Sequence, residues 1–141
     1  MSNPYAKSHP GSLSGAFWTA LGAGVFCVPR CEECGTHRFP PTAMCPTCHS
    51  IAYAWAPVSG DATLWSWTIV HRPPKPQFVD LVPYCLGVAQ LAEGPLVLGQ
   101  VDTAALAGAT PEVGLALRLV VDPPAGDTPA RYHFTVTAPA P

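Results

Sequence analysis

Cys31-Glu32-Glu33-Cys34-Gly35, followed at Cys45 by Cys45-Pro46-Thr47-Cys48, is the stretch of sequence that decides the fold. Two C-x-x-C pairs joined by a short loop place four thiolates on two tight turns that can close a tetrahedron around one ion. Zinc suits such a site because it has no redox chemistry and forms Zn–S bonds of roughly 2.3 Å. Cysteine at all four positions leaves no place for a water ligand. The spacing therefore predicts a structural zinc site.

Other uses of these cysteines remain open at the level of sequence. A rubredoxin-like iron centre would use the same four ligands, although the interval between the pairs is short for rubredoxins. Two disulfides would require an oxidising compartment, and the first residues, MSNPYAKSHP, contain no apolar signal segment. His37 and His49 lie close enough to replace a cysteine, but four thiolates complete the site without them.

The two remaining cysteines are predicted to be small buried side chains. Cys27 lies in the apolar run Gly24-Val25-Phe26-Cys27-Val28, and Cys85 lies in Pro83-Tyr84-Cys85-Leu86-Gly87-Val88. Neither has a sequence context that marks a nucleophile. The chain also lacks G-x-S-x-G, a glycine-rich phosphate loop and H-E-x-x-H. We therefore expect no catalytic residue in this chain.

The composition indicates a protein with little surface charge. Charged residues make up 11% of the 141 residues, against roughly 25% in ordinary globular domains. Hydrophobic residues make up 48%, and there are 18 prolines. Such a surface is explained either by coverage from a partner protein or by a proline- and alanine-rich proteome. No apolar stretch approaches the roughly 20 residues that span a bilayer, so we expect a soluble, cytoplasmic protein.

The chain divides into three predicted segments. Residues 1–24 form a tail, disordered over residues 1–11, and a short helix that begins near Ser14 and must pack on its own metal module or on another chain. Residues 25–56 form the metal module, with short strands flanking the cysteine pairs. Residues 57–138 form a β domain.

The β domain is predicted from a period of two in the pattern of apolar residues. Five runs of this kind are separated by clusters of glycine, proline and aspartate, and a helical turn is expected near residues 103–107. In the first run, Trp65, Trp67 and Ile69 alternate with their neighbours as core residues do. Five strands of this length fit a small Greek-key barrel, and the OB-fold matches the size best. The predicted fold class is mainly β, with a short N-terminal helix.

The sequence resembles a family of small bacterial and archaeal proteins that join a rubredoxin-like zinc ribbon to an OB-fold domain. This family is known as domain of unknown function thirty-five, and its members are found with acyl-CoA enzymes. The resemblance covers about residues 16–121. It rests on these motifs in order: Phe17-Trp18, the two cysteine pairs, Phe39-Pro40-Pro41, Ser59-Gly60, His71-Arg72-Pro73, Pro83-Tyr84 and Glu93-Gly94-Pro95. His49 departs from the family pattern, in which a glycine usually follows the last cysteine.

The resemblance implies an accessory subunit whose partner supplies the chemistry. Such proteins accompany thiolase-fold enzymes (thiolases, acyltransferases and steroid side-chain aldolases) or hot-dog-fold enoyl-CoA hydratases. The barrel is thought to contact the CoA thioester, while the ribbon and the leading helix dock onto the partner. Four residues are the docking candidates on this basis: Phe17, Trp18, Phe39 and Pro40.

Residues 71–78 form the most informative segment outside the metal module. This proline-stiffened segment contains Arg72 and Lys75, two of only seven Lys and Arg residues, with Phe78 close by and His71 at its start. CoA presents phosphates, an adenine and an acyl chain, which cations and a ring can contact. The segment is therefore a candidate CoA or substrate contact, and partner docking or a plain connecting loop are its alternatives.

Nucleic-acid binding is the competing hypothesis from a different class. OB-folds that bind single strands need a basic groove with interleaved aromatic side chains. This chain has a net charge of −2 and a pI near 6.2, and its few cations are scattered along the sequence. We therefore expect no nucleic-acid partner.

Overall fold

The computed structural model describes residues 13–137, which form two compact units. Among the described residues, one unit contains residues 13–59, 92–95 and 121–131, and the other contains residues 60–91, 96–120 and 132–137. Residues 1–11, which the sequence predicts to be disordered, lie outside the described part. The segment boundaries at residues 24 and 56 stay predictions.

The second unit is a closed five-stranded barrel. The barrel consists of β3 (Asp61–Val70), β4 (Tyr84–Leu91), β5 (Leu96–Asp102), β6 (Ala116–Asp122) and β7 (Arg131–Val136), of which residues 121, 122 and 131 are grouped with the first unit. The strands close in the order β3-β4-β5-β7-β6. Strand β3 pairs antiparallel with β4 and β6, β4 pairs antiparallel with β5, and β5 and β7 run parallel. A short helical turn follows β5, where the sequence predicts one. The predicted fold class, with its OB-type barrel, is confirmed.

The barrel interior is filled by alternate apolar side chains from its strands. Phe134, Leu64, Leu91, Leu117 and Val97 are almost fully buried. On β5, Gly99 leaves the space that the Phe134 ring occupies, because a Cβ there would lie 2.8 Å from Cε2 of that ring.

The predicted burial of Trp65 is wrong, and a β-bulge explains the difference. Leu64 pairs with Ala89, but Ser66 already pairs with Val88, so Trp65 is an extra residue in β3. A bulge of this kind shifts the two-residue alternation by one position. Leu64 therefore points into the core before the bulge, and the Trp65 side chain is 58% exposed.

The first unit is a small ribbon with a helix packed on it. Helix α1 (Gly15–Gly22) precedes strands β1 (Cys27–Cys31) and β2 (Tyr53–Pro57), which pair antiparallel with Cys31 opposite Tyr53. These are the helix and the flanking strands that the sequence predicts. Within residues 13–137 no helix is long and apolar enough to cross a membrane.

Helix α1 is held by its own ribbon. Phe17 and Leu21, one turn apart, are 3% and 0% exposed. The Phe17 ring meets Phe26 edge-on, with ring centroids 5.1 Å apart, and lies 5.5 Å from the ring of Phe39. A helix of eight residues is unstable alone in water, so this aromatic cluster supplies the packing that stabilises it.

The two cysteine knuckles share one backbone geometry. The N–H of Gly35 donates to the carbonyl of Cys31 at 3.0 Å, and the N–H of His49 donates to the carbonyl of Cys45 at the same distance. Gly35 has φ +76° and His49 has φ 65°. Both residues have a left-handed backbone conformation. Glycine adopts this conformation without cost, but it strains a residue that has a Cβ.

Replacing His49 with glycine is expected to stabilise the second knuckle by up to about 1 kcal/mol, because the substitution removes left-handed strain. Gly35→Ala is the matched variant in the first knuckle and should destabilise by a similar amount. A Cβ at Gly35 would meet only the flexible end of Arg30, at 3.3 Å, so backbone strain dominates its effect. Thermal unfolding of the metal-loaded protein measures both changes. A loss of stability in His49→Gly would show that the left-handed backbone at His49 is not a source of strain.

Candidate metal centre

The knuckles bring four sulfur atoms together. The Sγ atoms of Cys31 and Cys48 lie 3.5 Å apart, those of Cys34 and Cys45 lie 3.6 Å apart, and all four lie within 4.8 Å of one another. A tetrahedron with Zn–S bonds of roughly 2.3 Å has edges of about 3.8 Å. The donor set and its spacing therefore fit one tetrahedral metal ion, and all four thiols are free of disulfides.

The pKa values of three of the cluster's thiols are shifted in different directions. The backbone N–H of Cys34 is the main cause that lowers the pKa of Cys31, and the N–H of Cys48 likewise lowers the pKa of Cys45 to about 6. At Cys48 the N–H of Ser50 favours the thiolate, but the neighbouring sulfurs and burial outweigh it and raise the pKa to about 12. A divalent metal ion at this position would favour the thiolate form of its ligands.

The site is closed and built only of sulfur. Cys31 and Cys45 are buried at the back of the cluster, and Cys34 and Cys48 are exposed. The described residues contain no other group of metal-binding side chains, and neither histidine of this region belongs to the cluster. Four protein ligands leave no position at which a substrate or water could bind, so the site suits a structural metal.

A buried arginine lies beside the site, and the sequence does not mark it. Arg38 is only 4% exposed, donates from Nε to the carbonyl of Thr42 at 3.0 Å, and places its guanidinium 4.7 Å from the centre of the Tyr53 ring. Its position between His37 and Phe39 carries no signal of burial. From the sequence alone, Arg38 is indistinguishable from the other scattered cations of the chain.

The cysteines outside the cluster have no catalytic environment. Cys85 is buried as predicted, whereas Cys27 is half-buried and so only partly matches the prediction. Burial raises the pKa of each thiol, which keeps both in the weakly nucleophilic protonated form.

The docking candidates occupy different positions. The structure brings Phe17, Trp18 and Phe39 together, with ring centroids of Phe17 and Trp18 5.0 Å apart. Phe17 is inside the unit, Phe39 is half-buried, Trp18 is 37% exposed and Pro40 is exposed. Phe17 therefore forms the buried side of this aromatic cluster and does not contribute to its exposed surface. A docking role for the four residues stays a prediction.

The candidate CoA-contacting segment connects β3 to β4 in the second unit. His71, Arg72 and Lys75 are exposed, and Phe78 is half-buried in a single helical turn, Pro76–Phe78. The sequence motifs do not single out the apolar residues that follow this segment. Among them, Val79 is 56% exposed and Leu81 is 53% exposed. A ligand role for these residues stays a prediction.

Two family descriptions match consecutive parts of the chain. Residues 18–52 match "ChsH2, rubredoxin-like zinc ribbon domain", and residues 55–122 match "ChsH2, C-terminal OB-fold domain". Together the two matches include all four cysteines and most of the barrel.

Several curated relatives match at the level of sequence. A "DUF35 domain-containing scaffold protein" of Methanocaldococcus jannaschii is 33% identical over 73 residues, which are 51% of this chain and 51% of that protein. A protein of the same description from Pyrococcus furiosus is 41% identical over 71 residues. A "Probable enoyl-CoA hydratase alpha subunit" of Thermomonospora curvata is 34% identical over 80 residues, which are 24% of its length. The chain spans about half or less of the length of these relatives.

Solved structures share the fold. A chain of the "Ltp2-ChsH2(DUF35) aldolase" superposes with a TM-score of 0.74 at 22% identity, over 92% of this chain and 98% of that chain. A DUF35 protein of unknown function from Sulfolobus solfataricus superposes with a TM-score of 0.60 at 14% identity. The paired ribbon and barrel matches, the scaffold-protein relatives and the shared fold lead to one conclusion: this chain belongs to the DUF35 family of ChsH2-type zinc-ribbon and OB-fold proteins.

Proposed function

We propose that this chain is a non-catalytic, zinc-binding accessory subunit of an acyl-CoA-processing enzyme complex. Its partner is a thiolase-fold enzyme (a thiolase, acyltransferase or steroid side-chain aldolase) or a hot-dog-fold enoyl-CoA hydratase. The names of its relatives, which include scaffold proteins, a probable hydratase subunit and an aldolase structure, support this class of partner. The observation that carries the proposal is the exposed apolar surface of the first unit.

This apolar ribbon surface is defined as Trp18, Phe39 and Pro40. The rings of Trp18 and Phe39 lie against the buried Phe17 ring, and the exposed Pro40 follows Phe39. Residues 13–29 contain no charged side chain, so α1 has no polar face to turn toward water. A helix that is apolar all round is normally buried. Aromatic residues and methionine are enriched at the centres of protein interfaces, and Met44 on the same unit is 52% exposed. A protein partner is the covering that this composition favours.

The metal in the four-cysteine site is zinc, and its role is structural. Its binding is worth on the order of 10 kcal/mol in comparable sites, and this energy becomes folding energy for the ribbon. A folded ribbon is needed to hold Phe39 and Pro40 beside α1. Zinc therefore supports partner binding indirectly, through the shape of the surface.

The segment at residues 71–78 contacts the CoA thioester in the assembled complex. Arg72 and Lys75 supply charge for phosphate oxygens on a backbone that prolines stiffen, which lowers the entropic cost of binding. Val79 and Leu81, exposed just beyond them, offer apolar contacts to an acyl chain or to the partner. The combination of cations and exposed apolar side chains on one segment supports this assignment.

We expect one zinc per chain, and loss of zinc with loss of ribbon folding in Cys31→Ser or Cys48→Ser. Each substitution removes a thiolate ligand, so the binding energy that stabilises the ribbon falls. Cys27→Ser is the matched control, because Cys27 is outside the cluster and should leave the zinc content unchanged. Elemental analysis and circular dichroism give the two readouts. A well-folded protein with four free thiols and no metal would refute the zinc assignment, and a red, iron-containing protein would shift it to the rubredoxin alternative.

Trp18→Ala should abolish or strongly weaken co-purification with the thiolase-fold or hot-dog-fold subunit. A buried interface tryptophan commonly contributes about 2 kcal/mol or more, which corresponds to about thirtyfold in affinity. Thr19→Ala changes the neighbouring exposed residue on α1 and should bind normally. Zinc content should stay near wild type in both variants, and thermal unfolding checks that each variant is folded at the assay temperature. Normal complex formation by Trp18→Ala would show that the partner does not bind at the apolar ribbon surface.

Replacing Arg72 and Lys75 together with alanine should raise the apparent KM of the complex for its CoA substrate about tenfold. Charge-assisted hydrogen bonds contribute about 1.5–3 kcal/mol, and exposed substitutions usually change stability by less than about 0.5 kcal/mol. Arg30→Ala with Arg131→Ala removes two exposed cations elsewhere and controls for net charge. If the Arg72 and Lys75 variant keeps normal kinetics but no longer co-purifies with its partner, the segment is a docking element and the CoA assignment is wrong.

A further inference from the structure

Arg38 is a buried cation without a carboxylate partner. Its guanidinium uses one donor, Nε, on the carbonyl of Thr42 and faces the Tyr53 ring, while Nη1 and Nη2 are buried without any hydrogen-bond partner. No carboxylate among residues 13–137 lies within ion-pair distance of Arg38; the ion pair found there joins Arg118 to Asp61. A buried charge with unpaired donors costs several kcal/mol unless a compensating charge is near.

Strand register places Arg38 on the same face of the ribbon as the metal site. The N–H of Arg38 donates to the carbonyl of Pro29 at 3.0 Å, and the N–H of Cys31 donates to the carbonyl of Thr36 at 2.9 Å. Residues 36–38 therefore run antiparallel beside β1, with Arg38 opposite Pro29 and Thr36 opposite Cys31. Residues directly opposite each other share a face of a sheet, and residues two apart on one strand share it as well.

The same register brings Tyr53 onto this face, because Tyr53 is the partner of Cys31 in β2. Arg38 is a diagonal neighbour of Cys31, and its guanidinium extends over the ring of the residue opposite Cys31. Diagonal neighbours in antiparallel strands lie about 7–8 Å apart. The register thus places Arg38 and Cys31 as diagonal neighbours on one face of the ribbon.

Four thiolates around one divalent ion leave the centre with two net negative charges. Opposite charges on one face of the ribbon interact weakly through water but substantially in the less polar surroundings of a buried side chain. Arg30, Glu32 and Glu33 are close in sequence but exposed, so solvent screens their charges.

We propose that Arg38 is the buried counter-charge of the four-cysteine metal centre, and that it strengthens metal binding electrostatically without acting as a ligand. This inference rests on the proposed zinc site. It explains why an arginine is buried with two unpaired amino groups, since the charge that balances it is the metal–thiolate cluster. It also assigns a function to a residue for which the sequence gives none.

The test is the zinc dissociation constant of the full chain, measured by competition with a chromophoric chelator. Arg38→Gln removes the charge but keeps a donor for the Thr42 carbonyl, and Arg38→Lys keeps the charge. Arg30→Gln is the matched control, because it removes an exposed cation one residue before Cys31. The absorption spectrum of the cobalt-substituted proteins reports whether four thiolates still surround the metal in each variant.

Arg38→Gln should weaken zinc binding at least about tenfold, while Arg38→Lys and Arg30→Gln stay within about threefold of wild type. A Gln variant that holds no zinc, beside a Lys variant with wild-type affinity, supports the proposal equally. Wild-type affinity in Arg38→Gln, or an equal loss in the Gln and Lys variants, would overturn it and leave Arg38 as a packing residue. A wild-type chain that binds no zinc would instead refute the zinc site itself.

Discussion

The convergence of four cysteine sulfurs within 4.8 Å is the constraint on which the first unit depends. Beyond it the ribbon has two strands of five residues and a helix of eight, which is little structure to stabilise. A two-stranded hairpin is marginal in water, and so is a short helix. The neighbouring sulfurs raise the pKa of Cys48 to about 12, so a cation that neutralises the thiolates would stabilise the cluster. Under the proposed function, metal binding and ribbon folding are coupled.

The second unit has a different source of stability. Its barrel closes on itself and buries an apolar core around Phe134 and Leu64. A closed barrel is a rigid platform from which the connecting segments project, and the segment at residues 71–78 is one of them. The chain thus combines a ribbon that carries a candidate metal centre and an exposed apolar surface with a barrel that carries a cationic loop.

The sequence predicts those features that depend on local patterns. The spacing of Cys31, Cys34, Cys45 and Cys48 predicts the knuckles, and the two-residue period predicts the barrel strands. Features that depend on the register between strands cannot be predicted from these local patterns. The bulge that exposes Trp65 arises where β3 pairs with β4, and nothing in the run from Leu64 to Val70 marks the extra residue.

The burial of single residues cannot be predicted from the sequence for the same reason. Residues 36–38 run beside β1 and add a third segment to the ribbon. The Arg38 guanidinium then lies over the Tyr53 ring, where it is buried. Phe17, a docking candidate from the family resemblance, is inside the unit because Phe26 and Phe39 pack on it from later positions in the chain. His49 is the intermediate case, since its departure from glycine is visible in sequence but its left-handed backbone is visible only in the structure.

X-ray absorption at the metal edge of the purified chain tests the central claim most directly, since it reports the element, the number of ligands and their type together. A zinc edge with four sulfur neighbours at roughly 2.3 Å, and no lighter atom bound to the metal, is the expected result. A nitrogen or oxygen ligand would mean that the site is open or that a histidine has entered it. An iron edge, or the absence of any metal from a folded ribbon, would contradict the structural zinc centre on which the proposed docking surface depends.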